Sequence, residues 1–267
     1  RDYYASRGLG DVYKRQVPVS VNDRTRFIYE AACCGLRDFF VKNGYKKACV
    51  GVSGGIDSAV VACLAVAALG AENVRGLMMP SQFSSEGSVE DAKQLAENLG
   101  IEFHVVPITE AYRSIVDTLI PVIGGTDFDA TEENIQSRIR TLMLMALQNK
   151  NGYILLNCSN KSENALGICT LYGDTGGAFS VTGDLYKTEM YDLARYINRK
   201  FGAPIPENIL TKEPSSELRP NQKDSDMLPS YEVVDAILYR LIEDGQSREE
   251  IILSLIHISE PTRRVVI

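Results

Sequence analysis

The stretch Gly51-Val52-Ser53-Gly54-Gly55-Ile56-Asp57-Ser58 carries the residue types of a phosphate site. Glycines let backbone approach an anion closely, and the free N–H groups of a helix N-terminus point at it. A strand-like run, Lys47-Ala48-Cys49-Val50, leads in, and an apolar, helix-like run, Ala59 to Leu69, leads out. This is not a Walker A loop, which needs Lys followed by Ser or Thr after its last glycine; here Ile-Asp-Ser follows. The stretch offers instead one carboxylate, Asp57, and two hydroxyls, Ser53 and Ser58. A carboxylate beside phosphates is repulsive unless a hard cation sits between them, so the pattern implies Mg²⁺.

The elements that must position this loop follow from periodicity. Asp23 to Asn43 reads as an amphipathic helix with Ile28, Ala32, Gly35 and Phe39 on one face, stopped by Asn43-Gly44. After the glycine loop and its helix, strands are predicted at Val74–Met79, Glu102–Val106 and Tyr153–Asn157. Helices are predicted from Ser85-Glu86-Gly87-Ser88 to Leu99, over Thr109–Leu119, and over Glu132–Asn149. The last of these places Ile135, Ile139, Leu142 and Ala146 on a buried stripe, and Pro121 to Asp129 reads as a loop. A further helix opens near Lys187-Thr188 and buries Met190, Leu193, Ala194 and Ile197. Strand and helix alternate, which predicts an α/β fold with a doubly wound parallel sheet covered on both faces. Ligands in such sheets bind outside the carboxyl ends of the strands. The loop at Ser53 and the runs after Met79 and Asn157 are expected to open there.

Composition narrows the classes. With 267 residues, 45% hydrophobic and 24% charged, the chain is globular and long enough for one domain with a real core. The formal net charge of −7 argues against a nucleic-acid surface. An anionic nucleotide must then be held by local donors and metal. No apolar run approaches the roughly eighteen residues that span a bilayer. Six cysteines (Cys33, Cys34, Cys49, Cys63, Cys158, Cys169) form no C-x-x-C pair and read as reduced thiols of a cytoplasmic protein. Two histidines, His104 and His257, argue against a histidine-rich zinc site.

At this point Ser53-Gly54-Gly55-Ile56-Asp57-Ser58 resembles the pyrophosphate loop of the ATP pyrophosphatases. These enzymes, NAD synthetases and GMP synthetases among them, cleave ATP between the α- and β-phosphates and adenylate a substrate. Other runs choose among the relatives. They are Glu133 to Arg140, Asn160-Lys161-Ser162-Glu163, Leu171-Tyr172-Gly173-Asp174, Gly183 to Thr188, Pro214 to Leu218 and Asn221 to Tyr231. Together, over about residues 22 to 252, they resemble the synthetase domain of the glutamine-dependent NAD synthetases.

The resemblance implies an ATP pyrophosphatase-type (adenine-nucleotide alpha-hydrolase-like) domain over residues 17 to 254. It also implies a carbon–nitrogen ligase that amidates deamido-NAD to NAD through an acyl-adenylate, releasing AMP and pyrophosphate. By the same resemblance Gly51, Ser53, Gly54, Gly55, Asp57 and Ser58 hold ATP, with Asp57 on Mg²⁺ and Glu163 as the second metal-side carboxylate. Lys187 faces the phosphates and is, with Asp57, a catalytic residue. A cation at a helix start is otherwise unfavourable, which hints at a bound anion. Ser215, or its neighbour Ser216, stands near metal and phosphates. Asn134, Arg138, Glu163 and Asp174 are the expected substrate-side residues. Where the family often has Thr-Gly before Asn160, this chain has Cys158-Ser159, so the adenosine contact falls to Cys158, to Ser159 or to backbone.

Residues 1–16 and 255–267 look like translated read-through rather than native sequence. They carry six basic and three acidic residues, so without them the formal net charge goes from −7 to −10. The family's glutaminase domain is expected before residue 17, and a basic substrate-contacting stretch beyond about residue 253. Without the glutaminase, this chain alone would use free ammonia. A homo-oligomer is expected from the resemblance. Two alternatives stay open: another adenylating amidotransferase such as a GMP synthetase, and a nucleotide-binding fragment without catalysis.

Overall fold

The computed structural model describes residues 21–124 and 127–259. Residues 1–16 and most of 255–267 lie outside the described residues, as do Gly125 and Thr126 of the expected loop after Pro121.

The first helix, α1 (Val21–Asn43), buries Cys33, Leu36 and Phe40. Strand β1 (Lys47–Gly51) follows, and its Ala48, Cys49 and Val50 are fully buried, as a strand covered on both faces must be. The glycine loop then opens α2 (Ile56–Leu69), which is buried almost all round from Ile56 to Ala65 and so shows no polar stripe. Next come β2 (Val74–Met78), α3 (Glu86–Leu99), β3 (Glu102–Val105), α4 (Thr109–Ile123), α5 (Ala130–Asn151) and β4 (Tyr153–Asn157). After β4 the chain forms α6 (Lys161–Leu166), the two-residue β5 (Phe179–Ser180), α7 (Lys187–Phe201), α8 (Glu207–Thr211), α9 (Tyr231–Ile242) and α10 (Arg248–Ser259).

The strands lie in the order β3-β2-β1-β4-β5, and every pair is parallel. The first three strands step one way, and β4 returns to the other side of β1. The topological switch therefore falls between β1 and β4, where Cys49 lies opposite Leu155. Alternation along the strands divides the core in two. Ala48, Val50, Ile154 and Leu156 face one layer, with α1, α2 and α7. Cys49, Leu77 and Leu155 face the other, with Tyr112 of α4 and Ile135, Ile139 and Leu144 of α5. This is the doubly wound α/β sheet that the alternation predicts. The edge strand β5 is too short to leave a period in the sequence.

Three helices differ from expectation. In α1 the buried apolar face is Tyr29, Cys33, Leu36 and Phe40, one position along from the expected Ile28, Ala32, Gly35 and Phe39, of which Gly35 is exposed and the other three are half-buried. Helix α4 runs on through Pro121 to Ile123 and is capped by Gly124 at φ 71°. The carbonyl that the proline leaves without its helical bond belongs to the exposed Asp117, where water can reach it. In α5 the buried apolar residues are Ile135, Ile139 and Leu144, while Leu142 is 65% exposed and Ala146 is exposed too. The 22-residue helix is about 33 Å long, against about 17 Å for a five-residue strand. One straight stripe cannot stay on the sheet over that length, and Leu144 is the side chain that meets the sheet at Gly51. We expect Leu144→Ala to lower stability by about 2–5 kcal/mol. Leu142→Ala should change it by less than about 0.5 kcal/mol. Urea midpoints measure both, and equal losses would contradict this packing.

Candidate functional site

The glycine loop closes on itself through its hydroxyls. Ser53 N–H donates to Ser58 Oγ (3.1 Å), Gly55 N–H donates to Ser53 Oγ (3.2 Å), and Ser58 Oγ donates to the Gly55 carbonyl (3.0 Å). Gly55 is the N-cap of α2 and makes no side-chain cap, so the helix start faces the cavity without an internal acceptor of that kind. Gly54 is buried at φ 78°, and a Cβ there would overlap the Ser88 carbonyl of α3. Its role is therefore close packing of the loop against a neighbouring helix.

Beside the loop sits a buried ammonium. Lys187, the first residue of α7, is 2% exposed. Its Nζ lies 2.6 Å from Asp57 Oδ2 and 2.9 Å from Glu163 Oε1. Asn160, the N-cap of α6, donates to Asp57 Oδ1 (2.9 Å) and accepts from Glu163 N–H (3.0 Å). The Tyr231 ring of α9 lies 5.4 Å from the ammonium. Three segments distant in sequence thus meet at one charge cluster.

Burial disfavours the Lys187 ammonium, but the Asp57 and Glu163 carboxylates outweigh it and hold its pKa well above the ordinary lysine value. Burial, and then the neighbouring Asp57 charge, push the Glu163 carboxyl up to about 7, against the pull of Lys187. Burial raises the Cys158 thiol far above its usual range, with Asp57 and Glu163 adding to it. Cys158 therefore stays a neutral thiol.

These groups line a cavity of about 460 Å³ at the carboxyl ends of β1, β2 and β4. Gly51, Ser53, Gly55, Asp57, Ser58, Cys158, Glu163, Asp174, Lys187, Asn134 and Ser215 all border it. Two predicted residues do not: Gly54, which packs behind the loop, and Arg138. Arg138 is exposed and donates from Nε to the Leu171 carbonyl (3.2 Å). Ser159 is likewise turned away, donating to the Asp174 carbonyl (3.2 Å). Asp174 Oδ1 accepts from Thr170 N–H (2.7 Å) and Ser137 Oγ (3.0 Å), and Thr170 Oγ1 donates to Asn134 Oδ1 (2.6 Å). Ser215 Oγ donates to the Gln222 carbonyl (2.6 Å), which folds its own loop.

Sequence reasoning missed several cavity residues. Arg140 borders the cavity and donates to the Met79 carbonyl (2.9 Å), and burial lowers its pKa to about 10. A helical signal was present: Glu133, Ser137, Arg140, Thr141 and Leu144 fall at i, i+4, i+7, i+8 and i+11, and all border the cavity. Lys212 also borders it, held by Asp91 Oδ2 and Ser88 Oγ at 3.1 Å each. Glu217 reaches across to accept from Ser85 Oγ (2.8 Å) and Ser88 Oγ (2.7 Å). No spacing pattern links Lys212 or Glu217 to α3.

The donor chemistry suits Mg²⁺. Among the described residues no three His, Cys, Asp or Glu side chains form a metal cluster by themselves. Mg²⁺ is commonly held by one or two carboxylates plus substrate phosphates, and two hard carboxylates converge here beside the glycine loop.

A glycine loop at the switch point of a parallel sheet, with a lysine–carboxylate cluster at its mouth, is the arrangement of an α/β domain with the ATP pyrophosphatase fold. The chain belongs to the NAD synthase family, whose model matches residues 28–266. A glutamine-dependent NAD(+) synthetase of Aquifex aeolicus is 55% identical over 225 residues, covering 84% of this chain and 40% of the relative. The chain thus spans about two fifths of the curated relatives it matches. A glutamine-dependent NAD⁺ synthetase of Acinetobacter baumannii, solved in complex with ADP, is 41% identical at a TM-score of 0.69, covering 86% of this chain and 41% of that one. An NH3-dependent NAD synthetase of Campylobacter jejuni, solved with nitrate, is 29% identical at a TM-score of 0.66, covering 89% of this chain and 88% of that one.

The raised Glu163 carboxyl has a stability consequence in metal-free protein. Relative to an unfolded carboxyl with an ordinary pKa, its contribution is full at acid pH and is lost as pH rises through about 7. Urea midpoints of Glu163→Gln measured in chelator should therefore decline less than wild type from about pH 5 to about pH 8. An unchanged decline would refute the raised carboxyl.

Proposed function

We propose that this chain carries the synthetase reaction of a glutamine-dependent NAD synthetase: ATP-dependent amidation of deamido-NAD to NAD. The observation that carries the reading is the buried Lys187 ammonium between Asp57 and Glu163 at the mouth of the phosphate loop. Such a cluster suits a polyanion that arrives with a divalent cation.

A carboxylate is a poor electrophile because its leaving group would be oxide. Transfer of AMP from ATP to the nicotinate carboxylate, with pyrophosphate leaving, supplies a better one. Ammonia then attacks the acyl carbon, AMP departs, and the amide remains. In this reading Gly51, Ser53, Gly55 and Ser58 bind the phosphates, and Gly54 keeps the loop in place. Lys187 donates to the phosphate oxygens and offsets their charge as it develops. Mg²⁺ would be held by Asp57 and Glu163 with phosphate oxygens, and would neutralise charge there. Cys158 borders the nucleotide. Asn134, Glu163 and Asp174 serve the deamido-NAD side, as does Arg138 from outside the cavity.

Free ammonia as nitrogen source is supported by the Campylobacter jejuni relative, which is named NH3-dependent and is matched over most of its length. In the longer relatives a glutaminase part would supply it. A homo-oligomer is part of the proposal, and the exposed Leu142 and Met145 of α5 offer apolar surface for it. A cytoplasmic setting is supported by six free cysteines. Among the described residues no helix is long and apolar enough to cross a membrane.

The test supplies purified chain with ATP, Mg²⁺, deamido-NAD and ammonium. NAD and AMP should form in equal amounts. ATP binding without AMP would favour the non-catalytic alternative, and turnover of xanthosine monophosphate instead would favour a GMP synthetase. Asp57→Ala should abolish pyrophosphate release in protein that keeps its circular dichroism; wild-type release would overturn the metal assignment.

A further inference from the structure

Asp235 lies on α9, outside the cavity lining, and is 6% exposed. Its Oδ1 accepts from Ser162 Oγ (2.5 Å) and its Oδ2 accepts from Thr188 N–H (2.8 Å). Ser162 Oγ also accepts from Lys187 N–H (2.9 Å). Ser162 precedes Glu163 in the chain, and Thr188 follows Lys187. One buried carboxylate therefore grips the first turn of α6 and the first turn of α7, beside the two residues that form the charge cluster. It sits at the N-terminus of the 15-residue α7, where negative charge is favoured. Tyr231, one turn earlier on α9, places its ring against the Lys187 ammonium. The same helix face thus meets both the backbone start and the charged end of Lys187.

We propose that Asp235 is a positioning residue of the ATP site, aiming Glu163 and Lys187 by holding Ser162 and Thr188. This rests on the reading of those two side chains as the groups that bind metal and phosphates. The physical basis is the geometry of small displacements. Lys187 reaches Asp57 and Glu163 at 2.6 and 2.9 Å only if its backbone starts from the right place. A shift of about 1 Å at a positioned group is enough to cost about a hundredfold in function. Removing the carboxylate leaves the Ser162 hydroxyl and the Thr188 amide without it, and of these bonds only Lys187 N–H to Ser162 Oγ then still joins the two helix starts.

The experiment is calorimetric titration of the full chain with ATP in the presence of Mg²⁺, well below the melting temperature. Loss of a supporting partner of a metal ligand typically costs about 10–100-fold. Asp235→Ala is therefore expected to weaken ATP binding by about tenfold or more. Asp235→Asn keeps an amide oxygen that can accept from Thr188 N–H, and is expected to fall between Ala and wild type. Ser162→Ala should weaken binding alone and add less in the Asp235→Ala background, because the two share the Ser162–Asp235 hydrogen bond. A contact of purely structural importance would lower the melting temperature and leave the affinity of folded protein unchanged. Wild-type affinity in Asp235→Ala overturns the proposal. Where that variant does not fold, wild-type affinity in both Asp235→Asn and Ser162→Ala overturns it. A wild-type chain that binds ATP but makes no NAD counts against the proposed reaction and leaves this role intact. A wild-type chain that binds no ATP overturns both.

Discussion

A lysine ammonium removed from water is costly unless opposite charge comes with it. Lys187 is buried against two carboxylates, and the rest of the site is arranged around that requirement. Asp57 comes from the start of α2, Glu163 from α6 and Lys187 from α7. None of the three can move alone without leaving a desolvated charge behind, so the elements that carry them are tied together. Asn160 bridges Asp57 to α6, and Asp235 ties α6 to α7. The charges are also unbalanced: two carboxylates face one ammonium, which is reflected in the raised Glu163 carboxyl.

The sheet makes this meeting place available. Because β4 returns beside β1, the loop after Gly51 and the loop after Asn157 open side by side at the switch point. The third wall is supplied by the run around Lys212 to Gln222, which is stitched to α3 through Lys212 and Glu217. The buried Gly54 brings the phosphate loop against that same helix at Ser88. Loop, helix and covering segment therefore share one small patch of α3, and a ligand in the cavity is bounded by parts that already touch.

The family match and the site geometry describe the same object from two directions. The relatives are named for NAD synthesis, and one is solved with ADP. The cavity independently offers a glycine loop at a helix start, hard carboxylates and a cation, and no soft metal cluster among the described residues. The neutral, half-buried Cys158 suits a wall rather than a reactive group.

Local pattern carried much of this in the sequence alone. The Ser-Gly-Gly-Ile-Asp-Ser loop between strand and helix, the alternation that makes a parallel sheet, and the buried face of α7 at Met190, Leu193, Ala194 and Ile197 all depend on neighbours within a few residues. The resemblance added Glu163 and Lys187. What only the tertiary structure decided is which side chains point inward where two elements meet. Arg138 turns out while Arg140 turns in, because residues two apart on a helix face nearly opposite ways. Leu142 yields its place to Leu144, because a helix longer than its strand cannot keep one stripe on the sheet. Gly54 is needed for packing against Ser88, and Asp235 reaches two helix starts from 47 and 73 residues away. No period in a sequence encodes such distances; they exist only once the chain has folded back on itself.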